Sequence, residues 1–179
     1  MRQLKNSTYL IIAFLFLQSF LGCSQNKKAS ESTDTNIKAV AKEIMTNANT
    51  CALITVDTNH RPRVRMMGTL KPEPDFTVWF GTNPKSRKIE QIKQNPEVTL
   101  YYQEEGNSGY VMLQGTAQII NDNKEKDIHW KNEWKPFYPN YPDDYLLIRV
   151  TPNWLEVVSY KHNILGDQET WEPAKIVFD

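Results

Sequence analysis

Cysteine and histidine are scarce in this sequence, and their scarcity excludes several kinds of site. The 179 residues hold two cysteines, Cys23 and Cys51, and three histidines, His60, His129 and His162. If Cys23, close to the N-terminus, carries a lipid, Cys51 is the only other thiol, so no internal disulfide is expected. Cys51 lies in an apolar run, which is typical of a small buried hydrophobe. Three histidines this far apart predict no structural zinc site and no other metal centre.

An excess of charge of either sign is also missing. Lysine and arginine number 21, aspartate and glutamate number 21, and the formal net charge is zero. A protein that binds nucleic acid needs a strongly basic face to neutralise phosphates. The balanced composition therefore excludes nucleic acid as an expected partner.

A long hydrophobic run is absent as well, because the apolar stretch LIIAFLFL covers only residues 10–17. A membrane-spanning helix needs roughly 20 apolar residues. With Arg2 and Lys5 in front of it, the stretch has the proportions of a signal peptide. Leu21-Gly22-Cys23 then resembles the lipobox of bacterial lipoproteins, which implies cleavage after residue 22 and lipidation of Cys23. An ordinary secretory signal or a single anchor helix is the alternative.

The sequence divides into a signal peptide (1–22), a flexible tether (23–35) and one domain (36–179). The tether is polar and lacks aromatic residues. If Cys23 is lipidated, the domain is extracytoplasmic and anchored to a membrane of the bacterial cell envelope. Removal of residues 1–22 leaves 157 residues with 19 basic and 21 acidic side chains, which suits one domain with a real core.

Hydrophobic spacing predicts a mainly β domain with flanking helices. An apolar face with helical periodicity begins at Ile37. Two further helices are expected, a short one within 81–96 with Ile89 and Ile92 facing inward, and one over 121–134 docked by Ile128 and Trp134. Pro152 separates two predicted strands, and Gly115 indicates a bulge. Too few crossovers remain for a doubly wound parallel sheet, so an antiparallel Greek-key barrel is expected. The predicted strands are 51–56, 64–70, 76–81, 98–103, 110–120, 145–152, 153–160 and 174–178.

The segment GTNPKSRKIEQIKQNP (81–96) places Ser86, Arg87 and Lys88 at the start of a short helix. Cations are unfavourable at a helix N-terminus, whereas phosphate is favoured there by free N–H groups and by the helix dipole. An arginine grips phosphate oxygens bidentately, and a lysine adds a point charge. The segment therefore favours phosphate binding, although a solvated basic turn beside Glu90 has the same composition.

A second basic segment, HRPRVRMMG, alternates Arg61, Arg63 and Arg65. Alternate residues of a strand share one face, so three like charges would repel unless an anion or acidic residues lie opposite. Salt bridges on an exposed face are the simpler explanation for Arg61 and Arg63. Gly68 would let a flat ligand approach the backbone closely.

These segments together resemble the pyridoxamine 5'-phosphate oxidase-like, FMN-binding split-barrel superfamily, and its general stress protein branch in particular. The motifs are PRVRMM, WFGTNPKSRKIEQIKQNPEVTL and GYVMLQGTAQ, and the resemblance covers about residues 37–160. It implies a homodimeric split β-barrel with FMN at the subunit interface. Arg65, Arg87 and Lys88 would hold the FMN phosphate beside Ser86. The residues implied to line the flavin ring are Met66, Met67, Gly68, Gly81, Thr82 and Tyr110.

The sequence departs from the oxidase pattern where the vitamin B6 substrate would bind. Leu70 occupies the position of a substrate lysine, and KHNILGD replaces the C-terminal arginine-x-histidine motif. Vitamin B6 oxidation is therefore not expected, and the substrate is not identified. The candidate substrate contacts are Trp130, Trp134, His162 and Trp171, and packing is the simpler explanation for each. Trp171, in a polar tail, is the least easily explained by packing and is the candidate cover for the flavin ring.

The expected function is that of an FMN-dependent oxidoreductase acting on a small-molecule redox substrate, in which the cofactor supplies the chemistry. No residue can be assigned a catalytic role from the sequence. A non-enzymatic module that binds flavin or haem is the alternative, with His60, His129 and His162 as candidate axial ligands. A barrel that has lost its ligand is the third hypothesis.

Overall fold

The computed structural model describes residues 34–178, so the predicted signal peptide, Cys23 and most of the predicted tether lie outside the described residues. Helix α1 covers residues 34–47, α2 covers Arg87–Gln94 and α3 covers Asn123–Ile128. No helix in this range is long and apolar enough to cross a membrane. The strands are β1 (Thr50–Val56), β2 (Pro62–Gly68), β3 (Val78–Thr82), β4 (Glu97–Gln103), β5 (Gly109–Ile120), β6 (Leu146–Ser159) and β7 (Ala174–Val177).

The seven strands form one antiparallel sheet in the order β2-β1-β4-β5-β6-β3, with β7 also paired to β6. Strand β6 is long enough for β3 to pair with its first half and β7 with its second half. The Leu70 N–H donates to the Trp79 carbonyl at 3.4 Å, which brings the end of β2 to β3 at the opposite side of the sheet. The predicted split β-barrel is confirmed.

Helix packing follows the predicted hydrophobic faces. In α1 the buried residues recur with the spacing that one apolar stripe requires, and in α2 Ile89 and Ile92 are both buried. Inward residues alternate along β1, where Cys51, Leu53 and Thr55 are buried. The buried positions of the first helix are Ile37, Val40, Ala41, Ile44 and Met45.

Pro152 does not end a strand, so the prediction of separate strands over 145–152 and 153–160 is wrong. Strand β6 continues through it because the register with β5 shifts there: Gly115 pairs with Pro152 and Gln114 pairs with Trp154, which leaves Asn153 as the extra residue. A bulge tolerates a residue without an N–H. The register shift falls between Gln114 and Gly115, so the predicted bulge at this glycine is confirmed, and a Cβ there would lie only 2.3 Å from the Thr151 carbonyl oxygen.

Helix α3 ends at Ile128, earlier than predicted, and Ile128 is 61% exposed, so the expectation that it docks the helix is wrong. The helix begins as expected, because the Asp122 carboxylate accepts from the Glu125 N–H at 3.0 Å. Its attachment to the domain is polar: the buried Lys126 donates to the Pro142 carbonyl at 2.7 Å.

Candidate functional site

The loop between β3 and α2 fixes the position of the helix N-terminus. The Asn83 side chain accepts from the Lys85 N–H at 2.9 Å, and its carbonyl accepts from the Ser86 N–H at 3.0 Å. Burial of Ile89 and Ile92 then holds the helix against the barrel. Ser86 is the N-cap residue, yet its hydroxyl makes no capping hydrogen bond and instead accepts from Lys88 Nζ at 2.6 Å. The first turn is therefore left uncapped by this side chain.

Arg65 reaches this helix from strand β2. Its guanidinium donates to the Leu53 carbonyl at 3.1 Å, to Thr55 Oγ1 at 2.8 Å and to Gln91 Oε1 at 2.9 Å. Thr55 Oγ1 donates in turn to Gln91 Oε1 at 2.7 Å. Arg65 is thus oriented by a strand and a helix together, and all of its partners are uncharged. We call Arg65, Ser86, Arg87 and Lys88 the basic cradle.

Positive charge in the basic cradle is concentrated and unneutralised. Burial lowers the pKa of Arg65, and the nearby Arg87 charge lowers it further. Burial also lowers the pKa of Lys88, with the Arg65 charge adding to the effect. Within residues 34–178, no carboxylate forms an ion pair with Arg65, Arg87 or Lys88. Positive charges this close together repel one another, and an anion placed among them would reduce that repulsion.

A depression of about 520 Å³ adjoins the start of α2 and is lined by Lys85, Ser86, Arg87 and Gln91. Two acidic residues, Asp57 and Glu90, also line it. Asp57 is paired with Arg63 at 2.6 Å and Glu90 with Lys93 at 2.8 Å. The negative charges at this depression are therefore already balanced by cations outside the basic cradle.

The arginines of HRPRVRMMG have different partners in the structure. Arg63 forms a salt bridge to Asp57 on the exposed face of the strand, as the simpler explanation predicted. Arg61 is exposed in the turn. Only Arg65 of the three joins helix α2. Arg65 differs from Arg61 and Arg63 because it hydrogen-bonds to two side chains, Thr55 and Gln91, that the sequence analysis did not identify. A weak signal existed for each: Thr55 interrupts an apolar run, and Gln91 lies one helical turn after Arg87.

The next residues of β2 alternate between the two faces of the sheet. Met66 is 64% exposed, Met67 is buried in the main core, and Gly68 is exposed with nothing within 4 Å of where a Cβ would be. A flat ligand could reach the backbone at Gly68 without steric obstruction. The predicted flavin contacts of this segment are compatible with these positions and stay a prediction.

Gly81 and Thr82 end β3 beneath a dense group of aromatic rings. A Cβ on Gly81 would lie 2.6 Å from the Tyr145 ring and 2.8 Å from Trp134, so the rings account for a glycine at this position. Thr82 is buried. Tyr145 is fully buried at the centre of four other rings. We call these five residues the aromatic cluster: Trp130, Trp134, Tyr138, Tyr141 and Tyr145.

Tyr110 and Trp171 make their contacts away from the basic cradle. The Tyr110 hydroxyl donates to Glu156 at 3.0 Å, and its ring stacks on Tyr101 with centroids 5.3 Å apart. Burial, and next the hydrogen bond to Glu156, raise the pKa of Tyr110 to about 12. Trp171 is 83% exposed and has a φ of 62°, a rare conformation for a bulky residue. The role of each at a flavin ring stays a prediction.

The three histidines lie in separate environments. His60 is exposed in the turn after β1, and the ring of His129 stacks on Trp79 with centroids 4.1 Å apart. His162 Nε2 is 3.4 Å from Glu43 and 3.7 Å from Glu104. In the described part of the chain, no three histidine, cysteine or acidic residues gather as a metal site, and Cys51 is a buried free thiol whose pKa burial raises to about 12.

The geometry defines a split-barrel protein with three cations, Arg65, Arg87 and Lys88, gathered at the start of helix α2. Residues 36–165 match the family model described as pyridoxamine 5'-phosphate oxidase like, and the chain belongs to this family. No curated protein matches the sequence.

Solved structures share the fold at low identity. General stress protein 26 from Bacillus anthracis is 24% identical with a TM-score of 0.60, and the alignment covers 77% of this chain and 95% of that one. A related protein from Clostridium acetobutylicum is 22% identical with a TM-score of 0.66, over 79% and 94%. A protein from Nostoc punctiforme, described as pyridoxamine 5'-phosphate oxidase-related and FMN binding, is 14% identical with a TM-score of 0.55, over 83% and 95%.

Proposed function

We propose that this protein binds FMN and that the basic cradle holds its phosphate. The observation that carries the proposal is the group of three cations, Arg65, Arg87 and Lys88, that no carboxylate neutralises in residues 34–178. The residues fit a phosphate monoester, because guanidinium groups, an ammonium group, a hydroxyl and a helix N-terminus all favour a doubly charged oxyanion. The FMN-binding description of the Nostoc punctiforme relative supports this ligand.

Bound FMN would make the protein a flavin-dependent oxidoreductase of small molecules, since the flavin supplies hydride and electron transfer. The residues of this chain bind and orient the cofactor rather than carry out the redox step. With the N-terminal sequence pattern, the proposal is of a lipid-anchored, extracytoplasmic flavoprotein. The lipid on Cys23 would keep the domain at a membrane surface while the tether lets it move.

An absorption spectrum tests the proposal directly. The purified protein is incubated with FMN, with riboflavin or with haem and is then desalted. We expect the two-banded yellow spectrum to be retained with FMN and lost with riboflavin, which has the same ring system and no phosphate. Equal retention of both flavins would overturn the phosphate assignment. A Soret band without flavin retention would replace FMN with haem as the ligand.

We also propose a homodimer, because an apolar stripe is exposed at the edge of the sheet. Val64 and Met66 are 65% and 64% exposed, and their cross-strand partners Ile54 and Ala52 extend the stripe onto β1. Contiguous apolar surface of this kind marks an interaction site. The resemblance implies that a second copy covers it.

Replacing Val64 with aspartate is therefore expected to convert the dimer to a monomer, since the charge would be buried without a partner. Light scattering at micromolar concentration measures the mass. Phe137→Asp is the matched control, because Phe137 is 74% exposed elsewhere in the domain. A monomeric mass for the unaltered protein with FMN bound would contradict the proposal.

A further inference from the structure

Arg65 is held in place by three oxygen atoms, and none of them carries a charge. They belong to the Leu53 carbonyl, the Thr55 hydroxyl and the Gln91 side-chain amide, at 3.1, 2.8 and 2.9 Å. Partly buried arginines are more often held by carboxylates, which give stronger hydrogen bonds and balance the charge. Here burial and the Arg87 charge together lower the pKa of Arg65, and no acidic residue of the described range 34–178 forms an ion pair with it.

The direction of each hydrogen bond in this group follows from chemistry. An arginine side chain can only donate, so the Gln91 amide must present its oxygen to Arg65. The Thr55 hydroxyl accepts from Arg65, so its own hydrogen is free for Gln91 Oε1, which lies 2.7 Å away. The three side chains therefore form a closed triangle in which both functions of the Thr55 hydroxyl are used.

Thr55 and Gln91 are polar side chains on β1 and α2, where the buried residues besides Thr55 are apolar. Thr55 is fully buried in β1 and follows the inward-facing Cys51 and Leu53, and valine would fill the same space without a polar atom. A buried hydroxyl is unfavourable unless it is hydrogen-bonded. Gln91 lies on α2 between Ile89 and Ile92, and links the helix to β1 and β2. Thr55 and Gln91 hydrogen-bond to each other at 2.7 Å, and each oxygen also accepts from Arg65 in this rotamer.

We propose that Thr55 and Gln91 are positioning residues that orient Arg65 toward the ligand phosphate while leaving its charge unneutralised. This inference rests on the proposed function, and it adds the reason why glutamine rather than glutamate stands at position 91. A glutamate would form a bidentate ion pair with Arg65 and compete with the phosphate. The acid next to it, Glu90, is exposed and pairs with Lys93 at 2.8 Å rather than with Arg65.

The substitution Gln91→Glu changes the charge of the triangle and almost nothing of its shape, so it separates charge from geometry. Affinities for FMN and for riboflavin are measured by quenching of flavin fluorescence. We expect Gln91→Glu to weaken FMN binding by about ten- to one-hundred-fold, the range of one charge-assisted hydrogen bond, with riboflavin affinity unchanged. Gln91→Met, which loses the orienting oxygen and adds no charge, should weaken FMN binding less than Gln91→Glu.

Thr55→Val is the second test, because it removes the hydroxyl at constant volume. It should also weaken FMN binding selectively, by about tenfold. If this variant does not fold, the Gln91 variants still test the inference, because Gln91 is a partly exposed helix position, where substitutions usually destabilise little. A riboflavin affinity that falls as much as that for FMN would mean a merely structural role and would overturn the inference.

Two further outcomes separate this inference from the proposed function. Unaltered protein that favours FMN over riboflavin, with Gln91→Glu equally selective, would overturn the inference alone. Equal affinity of the unaltered protein for both flavins would overturn the proposed function and the inference with it. Equal losses in Gln91→Met and Gln91→Glu would show that orientation matters and would overturn the role assigned to charge.

Discussion

Replacing Arg87 and Lys88 together with alanine is expected to abolish FMN retention while the barrel stays folded. Both residues belong to the first turn of α2, where Lys88 is half-buried against the Ser86 hydroxyl and Arg87 is exposed. Hydrogen bonds to charged groups contribute about 1.5–3 kcal/mol each, so losing two corresponds to about a hundredfold or more in affinity. Equilibrium dialysis with FMN measures the loss.

The matched control removes two exposed cations that lie outside the basic cradle and outside the depression beside it. Lys124 and Lys135 are both exposed. The Lys124→Ala, Lys135→Ala double variant should retain FMN, since exposed charges contribute little. Urea unfolding should show a change within about 0.5 kcal/mol for this control, as is usual at exposed positions. Undiminished FMN occupancy in the Arg87, Lys88 double variant would refute the phosphate assignment.

The second large effect is on stability, and it concerns the centre of the aromatic cluster. Tyr145→Ala should lower the free energy of unfolding by about 3–5 kcal/mol, because a fully buried aromatic side chain is deleted and a cavity remains. Four rings surround Tyr145 with centroid distances between 4.8 and 5.9 Å. Urea denaturation followed by tryptophan fluorescence measures the change.

Tyr145→Phe isolates the contribution of the ring from that of the hydroxyl. The hydroxyl donates to the His129 carbonyl at 3.2 Å, so its loss should cost only about 0.5–1.5 kcal/mol. If Tyr145→Phe were as destabilising as Tyr145→Ala, the hydrogen bond would be the main contribution and the packing argument would be wrong.

Local sequence patterns sufficed for most of the fold. The apolar spacing from Ile37 to Met45 and the inward pair Ile89 and Ile92 depend on helix periodicity alone, and both are confirmed. Pro152 was misread because a proline ends a strand only where its missing N–H would leave the ladder incomplete. In β6 the bulge at Asn153 removes that requirement, and a bulge depends on the partner strand.

The candidate site was predictable only where its residues are adjacent in the sequence. Ser86, Arg87 and Lys88 are consecutive and open a helix, so their environment follows from the chain itself. Thr55 and Gln91 are 36 residues apart, and only the pairing of β1 with β2 and the docking of α2 bring them to Arg65. The neighbouring sequence does not distinguish a buried threonine that hydrogen-bonds to an arginine from a buried threonine that only packs in the core.

The unneutralised basic cradle has a thermodynamic consequence for the empty protein. Because the pKa of Lys88 is lower in the folded state than in the unfolded chain, folding is opposed at every pH below the folded-state pKa, where both states carry the charge. The opposition declines as the pH rises above that value and is gone above the pKa of the unfolded chain. A bound dianion would offset it at neutral pH, and the whole gain in stability is the linkage term, about 2.7 kcal/mol when the ligand is at one hundred times its Kd. Arg65 lies on the edge strand β2, and Lys88 follows β3 at the other end of the sheet order, so the ligand would add a second link where the Leu70–Trp79 hydrogen bond already joins these two strands.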